Sequence, residues 1–303
     1  MKGLSLFSGI GGFDLGFQRA GIEITAMCEI DRYCRDILSK RFPNTPIHED
    51  VKEVSYERGS VDVVFGGFPC QDLSRAGKRL GFSGERSSLW FEFARIIAGT
   101  QPKWVVIENV PGIFSSDGGR DLATVIRWLA DHGYGVGWRV LDSQGFGLAQ
   151  RRKRVFIVGS FGNPSGCTVL LDPGSLSGVL KQTGKNKKSN PSELTKRSKN
   201  EGDWSNVDRI LWEATHIENP VRISANQNVA PTLQARMGTG GNNTPMLGTR
   251  KLTALECERL QGFPEGWTEG SPLAQRYKQL GNAVSVPVAE WVGKRIMEKE
   301  CGK

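Results

Sequence analysis

Residues 61–71 read Val-Asp-Val-Val-Phe-Gly-Gly-Phe-Pro-Cys-Gln, an apolar, β-branched run that ends in two glycines and then in Cys70. Such a run predicts a buried strand followed by a tight turn. A second apolar run, over residues 104–107, is followed by the acidic residue Glu108. In an open α/β sheet, reactive groups collect at the carboxyl ends of neighbouring strands. A thiol and a carboxylate placed there predict covalent catalysis by a cysteine with a partner acid.

The first half of the chain alternates between strand-like and helix-like stretches, which predicts a doubly wound α/β fold with a mainly parallel sheet. The predicted strands are Leu4–Phe7, Ile24–Cys28, Ile47–Val51, Val61–Phe65, Val105–Ile107, Tyr134–Leu141 and Val155–Gly159. The predicted helices between them are Gly12–Ala20, Asp31–Phe42, Leu89–Gly99 and Asp121–Asp131.

The composition changes after residue 160, which predicts three parts: 1–160, 161–250 and 251–303. Residues 161–250 are rich in Gly, Ser, Asn and Lys with weak periodicity, so we expect a second, smaller and irregular domain there. Residues 251–303 return to a helical pattern, and Thr253 with Glu256 is typical of a capping box. The helices expected in this last part cover residues 253–261, 273–280 and 287–298.

Composition and charge narrow the class of protein. No apolar run approaches the ~20 residues of a membrane span, and the short N-terminal one favours a first strand over a signal peptide. We therefore expect a cytoplasmic protein that binds no membrane. The formal net charge of +8 favours a polyanionic partner. Residues 181–199 contain seven Lys or Arg and one acidic residue. This basic stretch is either a nucleic-acid interface or a solvated basic face.

The cysteines and histidines exclude several kinds of site. The six cysteines show no CxxC pair and the chain has only three histidines. We therefore expect no zinc or other metal site, no disulfide scaffold and no Cys-His catalytic pair. A nearby arginine and polarised backbone amides would instead activate the Cys70 thiol. The basic, Gly- and Ser-rich stretch 74–88 has the composition of a mobile lid.

A glycine-rich turn and two strand-end acids predict a nucleoside-containing cofactor. The turn is Leu6-Phe-Ser-Gly-Ile-Gly-Gly12, between the first strand and the first helix, where glycines let the backbone approach a ligand closely. Glu29 ends the second strand and suits a ribose diol. Asp50 ends the third and could reach an adenine amino group. The turn lacks the full GxGxxG spacing, which disfavours a dinucleotide.

Two further groups would act on a heterocyclic ring. Glu108 ends an apolar strand, and a carboxyl buried there with a raised pKa could donate a hydrogen bond to a ring nitrogen. The second group is the run Gln150-Arg-Arg-Lys-Arg154, at the entry to a strand. Because side chains alternate along a strand, Arg152 and Arg154 are expected to point together towards a base or phosphate.

These segments, in this order, resemble the DNA (cytosine-5) methyltransferase family. Further matches are Arg250-Lys-Leu-Thr-Ala-Leu-Glu-Cys-Glu-Arg-Leu-Gln-Gly-Phe-Pro264 and Tyr277-Lys-Gln-Leu-Gly-Asn-Ala-Val-Ser-Val-Pro287. The motifs cover roughly residues 1–160 and 250–298. The resemblance implies the S-adenosylmethionine-dependent methyltransferase sheet, with 161–250 as the target-recognition domain and the C-terminal helices packed back onto the catalytic domain.

The resemblance also implies a role for each candidate residue. Cys70 would add to C6 of a flipped-out cytosine, Glu108 would hold N3 and the exocyclic amine, and Arg154, with Arg152, would bind the O2 side. The implied contacts to S-adenosylmethionine are Phe7, Gly9, Gly11, Glu29, Asp50 and Asn282. The implied DNA contacts, on the lid, are Gln71, Ser74 and Arg75.

The predicted function is methyl transfer from S-adenosylmethionine to C5 of a cytosine in a specific sequence of double-stranded DNA. The expected form is a monomer, in the cytoplasm and associated with a bacterial nucleoid, with a cognate restriction endonuclease as a possible partner. Alternatives are methylation of cytosine in RNA, a non-catalytic nucleic-acid-binding protein on the same fold, and a nucleotide-dependent oxidoreductase. The last leaves Cys70, Glu108 and Arg154 unexplained.

Overall fold

The computed structural model of this protein describes residues 1–68, 88–163, 168–170, 211–213, 222–223, 229–239, 244–247 and 250–302. Four predicted site residues, Cys70, Gln71, Ser74 and Arg75, lie outside the described residues, as does the basic stretch 181–199.

Strands and helices alternate through the first half of the chain. They are β1 (Lys2–Leu6), α1 (Gly12–Arg19), β2 (Glu23–Cys28), α2 (Arg32–Arg41), β3 (Ile47–His48), β4 (Val63–Gly66), α3 (Ser88–Thr100), β5 (Trp104–Asn109), α4 (Arg120–Asp131), β6 (Tyr134–Asp142) and β7 (Lys153–Phe161). The later elements are β8 (Leu211–Glu213), β9 (Arg222–Ile223), β10 (Pro245–Leu247), β11 (Arg250–Lys251), α5 (Ala254–Gln261), α6 (Leu273–Asn282) and α7 (Val286–Glu300).

The chain divides into two compact units. The first unit comprises Met1–Leu141, Lys153–Asp172 and Val288–Lys303, and the second comprises Asp142–Arg152 and Pro173–Pro287. This division differs from the predicted boundaries in two places, because residues 142–152 and the helices α5 and α6 group with the second unit. Of the C-terminal part, only residues from 288 onwards group with the first unit, whereas 251–303 as a whole was expected to return to it.

A seven-stranded sheet forms the first unit, in the order β3-β2-β1-β4-β5-β7-β6. The pairs β1–β2, β1–β4, β2–β3 and β4–β5 are parallel, whereas β5 and β7 pair antiparallel. The inner strand β4 is buried along its whole length, as expected of a parallel strand covered on both faces. The predicted doubly wound, mainly parallel α/β fold is therefore confirmed.

The core of the first unit lies on both faces of this sheet. Successive residues of a strand point to opposite faces, and β4 shows the consequence. Phe65 packs against Phe17 of α1, with ring centroids 4.4 Å apart. Val64 belongs instead to the core that includes Trp90 of α3 and Leu129 of α4.

The described part of the second unit contains a smaller, antiparallel sheet and the helices α5 and α6. Its four described strands have the order β11-β10-β8-β9. The stretch predicted to be irregular therefore contains strands. Helix α5 begins as predicted: the Thr253 side chain accepts the Glu256 N–H, and the Glu256 side chain accepts the Thr253 N–H, so the capping box is confirmed.

Candidate active site

The glycine-rich turn between β1 and α1 adopts an unusual backbone. Phe7, Gly9 and Gly11 have φ of 56°, 58° and 81°, in the left-handed region that favours glycine. Around Gly9, no described heavy atom lies within 4 Å of the place that a Cβ would occupy, so the loop is open on that side. A Cβ on Gly11 would lie 2.7 Å from the Phe42 ring. The open side of the loop gives room for a ligand to approach the backbone.

Glu29 lies beside this loop, just beyond β2. Its Oε2 accepts the Gly9 N–H at 2.7 Å and its Oε1 accepts the Asp31 N–H at 2.8 Å. Burial raises the pKa of Glu29, and these two N–H groups lower it in part. Each carboxylate oxygen retains a second lone pair, so the group can also accept hydrogen bonds from a diol. The loop and the acid together form a cradle of the kind that a nucleoside requires.

Asp50 and Asp14 add two carboxyl groups to this part of the first unit. Asp50 Oδ1 accepts the Lys52 N–H at 2.9 Å and caps the short 3₁₀ turn Val51–Glu53. Asp14, in the first turn of α1, is fully buried, and burial raises its pKa to about 7. Asp14 belongs to none of the sequence motifs. Its position between the core residues Phe13 and Phe17 was the available signal.

Glu108 and Arg154 form an ion pair at the ends of β5 and β7. Arg154 Nε lies 2.9 Å from Glu108 Oε1, and the two side chains are only 16% and 13% exposed. The antiparallel register, with Glu108 opposite Phe156 and Asn109 opposite Val155, places the two residues at the same edge of the sheet. A carboxylate and a guanidinium that are shielded from solvent at the same end of a sheet can bind the polar edge of a planar ring.

Arg152 occupies a different environment, and the expectation that it points with Arg154 towards a base is wrong. Its side chain is 1% exposed and donates to three carbonyl oxygens: Leu233 O at 2.9 Å, Gly281 O at 3.1 Å and Ala283 O at 2.7 Å. The physical reason is that β7 begins only at Lys153, so strand alternation does not extend back to residue 152. Arg152 therefore holds the second unit together.

Asn282 is the last residue of α6, in the second unit, and its side chain is exposed. The preceding residue, Gly281, is buried, and a Cβ there would lie 2.2 Å from the Gln234 carbonyl carbon. The glycine is thus required by a close backbone approach that fixes the chain immediately before Asn282.

Three of the four described cysteines are buried, and the fourth, Cys301, is exposed. Burial raises the pKa of Cys28 and of Cys257 to about 12, so their thiolate fractions are negligible at neutral pH. Cys34 is also buried, and the exposed Cys301 follows the last helix. Cys70 remains the predicted nucleophile. Across the described ranges, no group of three His, Cys, Asp or Glu side chains could hold a metal ion.

The sheet order, the glycine cradle and the Glu108–Arg154 pair are the features expected of an α/β enzyme with a nucleoside-containing cofactor. A model of the C-5 cytosine-specific DNA methylase family matches residues 1–298, and the chain belongs to that family. It is a DNA (cytosine-5) methyltransferase, as predicted, and enzymes of this class use S-adenosylmethionine.

Relatives support this assignment, and a solved structure shares the fold. The chain is 32% identical to the type II methyltransferase M2.BsuMI of Bacillus subtilis, covering 98% of this chain and 76% of that protein. It is 34% identical to the type II methyltransferase M.Bsp6I of a Bacillus species, over 96% of this chain and 97% of that protein. The S. pombe Dnmt2 methyltransferase shares the fold, with a TM-score of 0.67 at 17% identity over 99% of both chains. None of the helices in the described part is long and apolar enough to cross a membrane.

Proposed function

We propose that this methyltransferase acts on a cytosine flipped out of a specific sequence in duplex DNA, and that Cys70, Glu108 and Arg154 carry the reaction. The observation that supports the assignment is the shielded Glu108–Arg154 pair, at a sheet edge to which the neighbouring strand β4 also leads. Cys70 follows β4 by four residues. A base inside a duplex cannot reach such an edge, so the nucleotide must leave the stack.

In the proposed reaction the Cys70 thiolate forms a bond to C6 of the ring, and the C5–C6 π pair moves onto C5. Glu108 holds N3 and the exocyclic amine, and the Arg154 guanidinium donates to O2, so both compensate the charge that develops on the ring. When bound, S-adenosylmethionine would supply an electrophilic methyl group: the electron pair on C5 would form the new C5–methyl bond as the methyl–sulfur bond breaks and leaves its pair on sulfur. The C5 proton would then pass to a water molecule, the C5–H pair would restore the C5–C6 double bond, and the C6–Sγ bond would break with its pair returning to Cys70 as thiolate.

The residues of the glycine cradle fit the cofactor. Phe7, Gly9 and Gly11 would lie along the nucleoside, because the loop is open at Gly9. Glu29, already oriented by the Gly9 and Asp31 N–H groups, would accept from the ribose hydroxyls. Asp50 would receive the adenine amino group. Asn282 is proposed as a cofactor contact on its motif alone, and the same holds for Gln71, Ser74 and Arg75 as DNA contacts.

The partners and surroundings follow from the same activity. The substrate is DNA, and residues 161–250 are proposed to recognise its sequence. The type II relatives favour a cognate restriction endonuclease. We propose a monomer that works without a metal ion, in the cytoplasm and on the nucleoid.

Bisulfite sequencing tests this proposal directly. The purified protein is incubated with unmethylated plasmid DNA and S-adenosylmethionine, and protected cytosines are mapped. Protection in one short recurring context is expected, and Cys70→Ser should abolish it while DNA binding persists. The matched control is Cys301→Ser, at the exposed cysteine, which should protect like the wild type. Turnover of Cys70→Ser at the wild-type level would refute the covalent mechanism.

A further inference from the structure

Two adjacent glycines end β4, and they meet different neighbours. A Cβ on Gly66 would lie 2.0 Å from the Leu6 carbonyl oxygen, so this glycine is required by the pairing of β4 with β1. A Cβ on Gly67 would lie 2.7 Å from Glu108 Oε2. Its next contact, with the Glu108 carbonyl oxygen, is an ordinary 3.4 Å. Among the described residues, and apart from its chain neighbours, Glu108 is therefore the residue closest to the place of a Gly67 Cβ, and its carboxyl makes the closest approach.

Backbone conformation does not explain the glycine at position 67. The described glycines with positive φ include Gly9, Gly11 and Gly59, but not Gly67. An alanine there would adopt the same backbone without strain. What the missing side chain provides is space, and that space holds a carboxylate oxygen.

The Glu108 carboxyl is thus held from two sides. Oε1 lies 2.9 Å from Arg154 Nε, and Oε2 lies over the bare Cα of Gly67. The side chain is 13% exposed, which leaves it little freedom to move away. A methyl group at position 67 would have to displace Oε2, because a carbon and an oxygen atom do not approach to 2.7 Å. That displacement would turn the carboxyl plane relative to Arg154.

We infer that Gly67 is a positioning residue for the reaction: its missing side chain sets the orientation in which Glu108 meets the target base. This inference rests on the role proposed for Glu108. Gly67 acts through Glu108 and needs no contact of its own with the base. A misplacement of a catalytic group by about 1 Å is enough to cost roughly 10²-fold in rate.

The test compares Gly67→Ala with Gly99→Ala. Gly99 is an exposed helical glycine, and no described heavy atom lies within 4 Å of the place of its Cβ. Gly67→Ala should lower the single-turnover rate of methyl transfer about 10- to 100-fold, and slow adduct formation with 5-fluorocytosine DNA equally. The Kd values for DNA and for S-adenosylmethionine should stay within about twofold. Gly99→Ala should match the wild type in all four measurements.

A second measurement separates positioning from a general packing defect. If Gly67→Ala lowers the Tm, the loss should disappear in a Glu108→Ala background, because the displaced carboxyl is then gone. A Tm loss that persists in this background would overturn the inference. An unchanged rate for Gly67→Ala would also overturn it. A crystal structure of Gly67→Ala should show Glu108 Oε1 and Arg154 Nε separated beyond hydrogen-bond distance.

Glu108→Gln, measured in the same assays, keeps this inference apart from the proposed function. A wild-type rate for Glu108→Gln would refute the role of Glu108 and the inference together. If Glu108→Gln transfers methyl groups slowly while Gly67→Ala keeps the wild-type rate, only the positioning role of Gly67 is refuted.

Discussion

Arg152 and Arg154 are two residues apart and carry the same charge, yet they belong to different units and have different partners. Arg152 is almost completely buried and donates to three main-chain carbonyl groups of the second unit. Arg154 retains some exposure and pairs with one carboxylate of the first unit. A shared motif therefore contains one arginine that connects backbone segments and one that pairs with a carboxylate.

The difference lies in what each guanidinium meets. Three carbonyl acceptors fix Arg152 in a single position, and a ligand would gain little from a group so fully engaged. Arg154 has an acid as its partner, and the acid itself is proposed to bind the substrate. An exchange of partners is then possible when the base arrives. The number and type of acceptors, more than burial alone, distinguish a structural arginine from a functional one.

The largest effect on stability is expected for Arg152→Met. The substitution leaves three buried carbonyl groups without their donor, at about 1–3 kcal/mol each, so the free energy of unfolding should fall by about 5 kcal/mol. Urea denaturation measures it. The neighbouring Arg151 is exposed, and Arg151→Met should stay within about 0.5 kcal/mol of the wild type. Equal stability of the two variants would remove the distinction between Arg152 and Arg154.

Glu108→Gln should show the opposite behaviour. The amide keeps the shape of the side chain but loses the carboxyl that holds N3, so methyl transfer should fall about 10³-fold, roughly 4 kcal/mol in the activation free energy. The Tm should change by only a few degrees. Glu23→Gln, at an exposed position, is the matched control and should keep the full rate. A large loss of Tm without loss of rate would place Glu108 with Arg152, among the structural groups.

Sequence patterns predict those features that neighbouring residues in the chain form. The apolar runs and the acid that follows β5 are contiguous in the chain, so the strand positions of Glu108 and the glycine turn could be predicted. Arg152 could not, because its acceptors at Leu233, Gly281 and Ala283 are 81 or more residues away. Only the folded chain brings them to the guanidinium.

The division into units differs from the predicted boundaries for the same reason. Residues 149–151 look like the approach to β7, so the sequence pattern predicts that they belong to the first domain. In the structure Ala149 O accepts the Ala230 N–H, and Gln150 binds both Leu233 N and Leu260 O. These are long-range hydrogen bonds with no local pattern. Such contacts decide which unit a connecting segment joins.

Asp14 is a third kind of buried ionisable group, because few neighbouring groups offset the cost of ionising its carboxyl in the core. Its pKa of about 7 lies above the ordinary 3.8, so the folded protein holds this proton more tightly than the unfolded chain does. Stability should therefore fall as the pH rises from about 4 to about 7, and stay level above that. The full cost is on the order of 4 kcal/mol. Glu29 is the charged group that acts on Asp14, and its charge raises the pKa further.

Urea denaturation between pH 5 and pH 8 measures this contribution. In Asp14→Asn the free energy of unfolding should fall much less as the pH rises, because the amide cannot ionise. In Asp36→Asn, at an exposed position, it should fall as in the wild type. If Asp14→Asn retained the wild-type slope, burial of this carboxyl would not be the source of the pH dependence.

The smallest effect is expected where the sequence was most informative. Thr253→Ala removes the hydroxyl that accepts the Glu256 N–H at 3.2 Å, and loss of such a cap costs about 1 kcal/mol. Thr253→Ser, which keeps the hydroxyl, should be close to the wild type in urea denaturation. Glu256 limits the loss, because it also binds Arg250 and the Thr253 N–H. A loss as large as that of Arg152→Met would mean that this local contact, and not only the long-range network around Arg152, holds the second unit together.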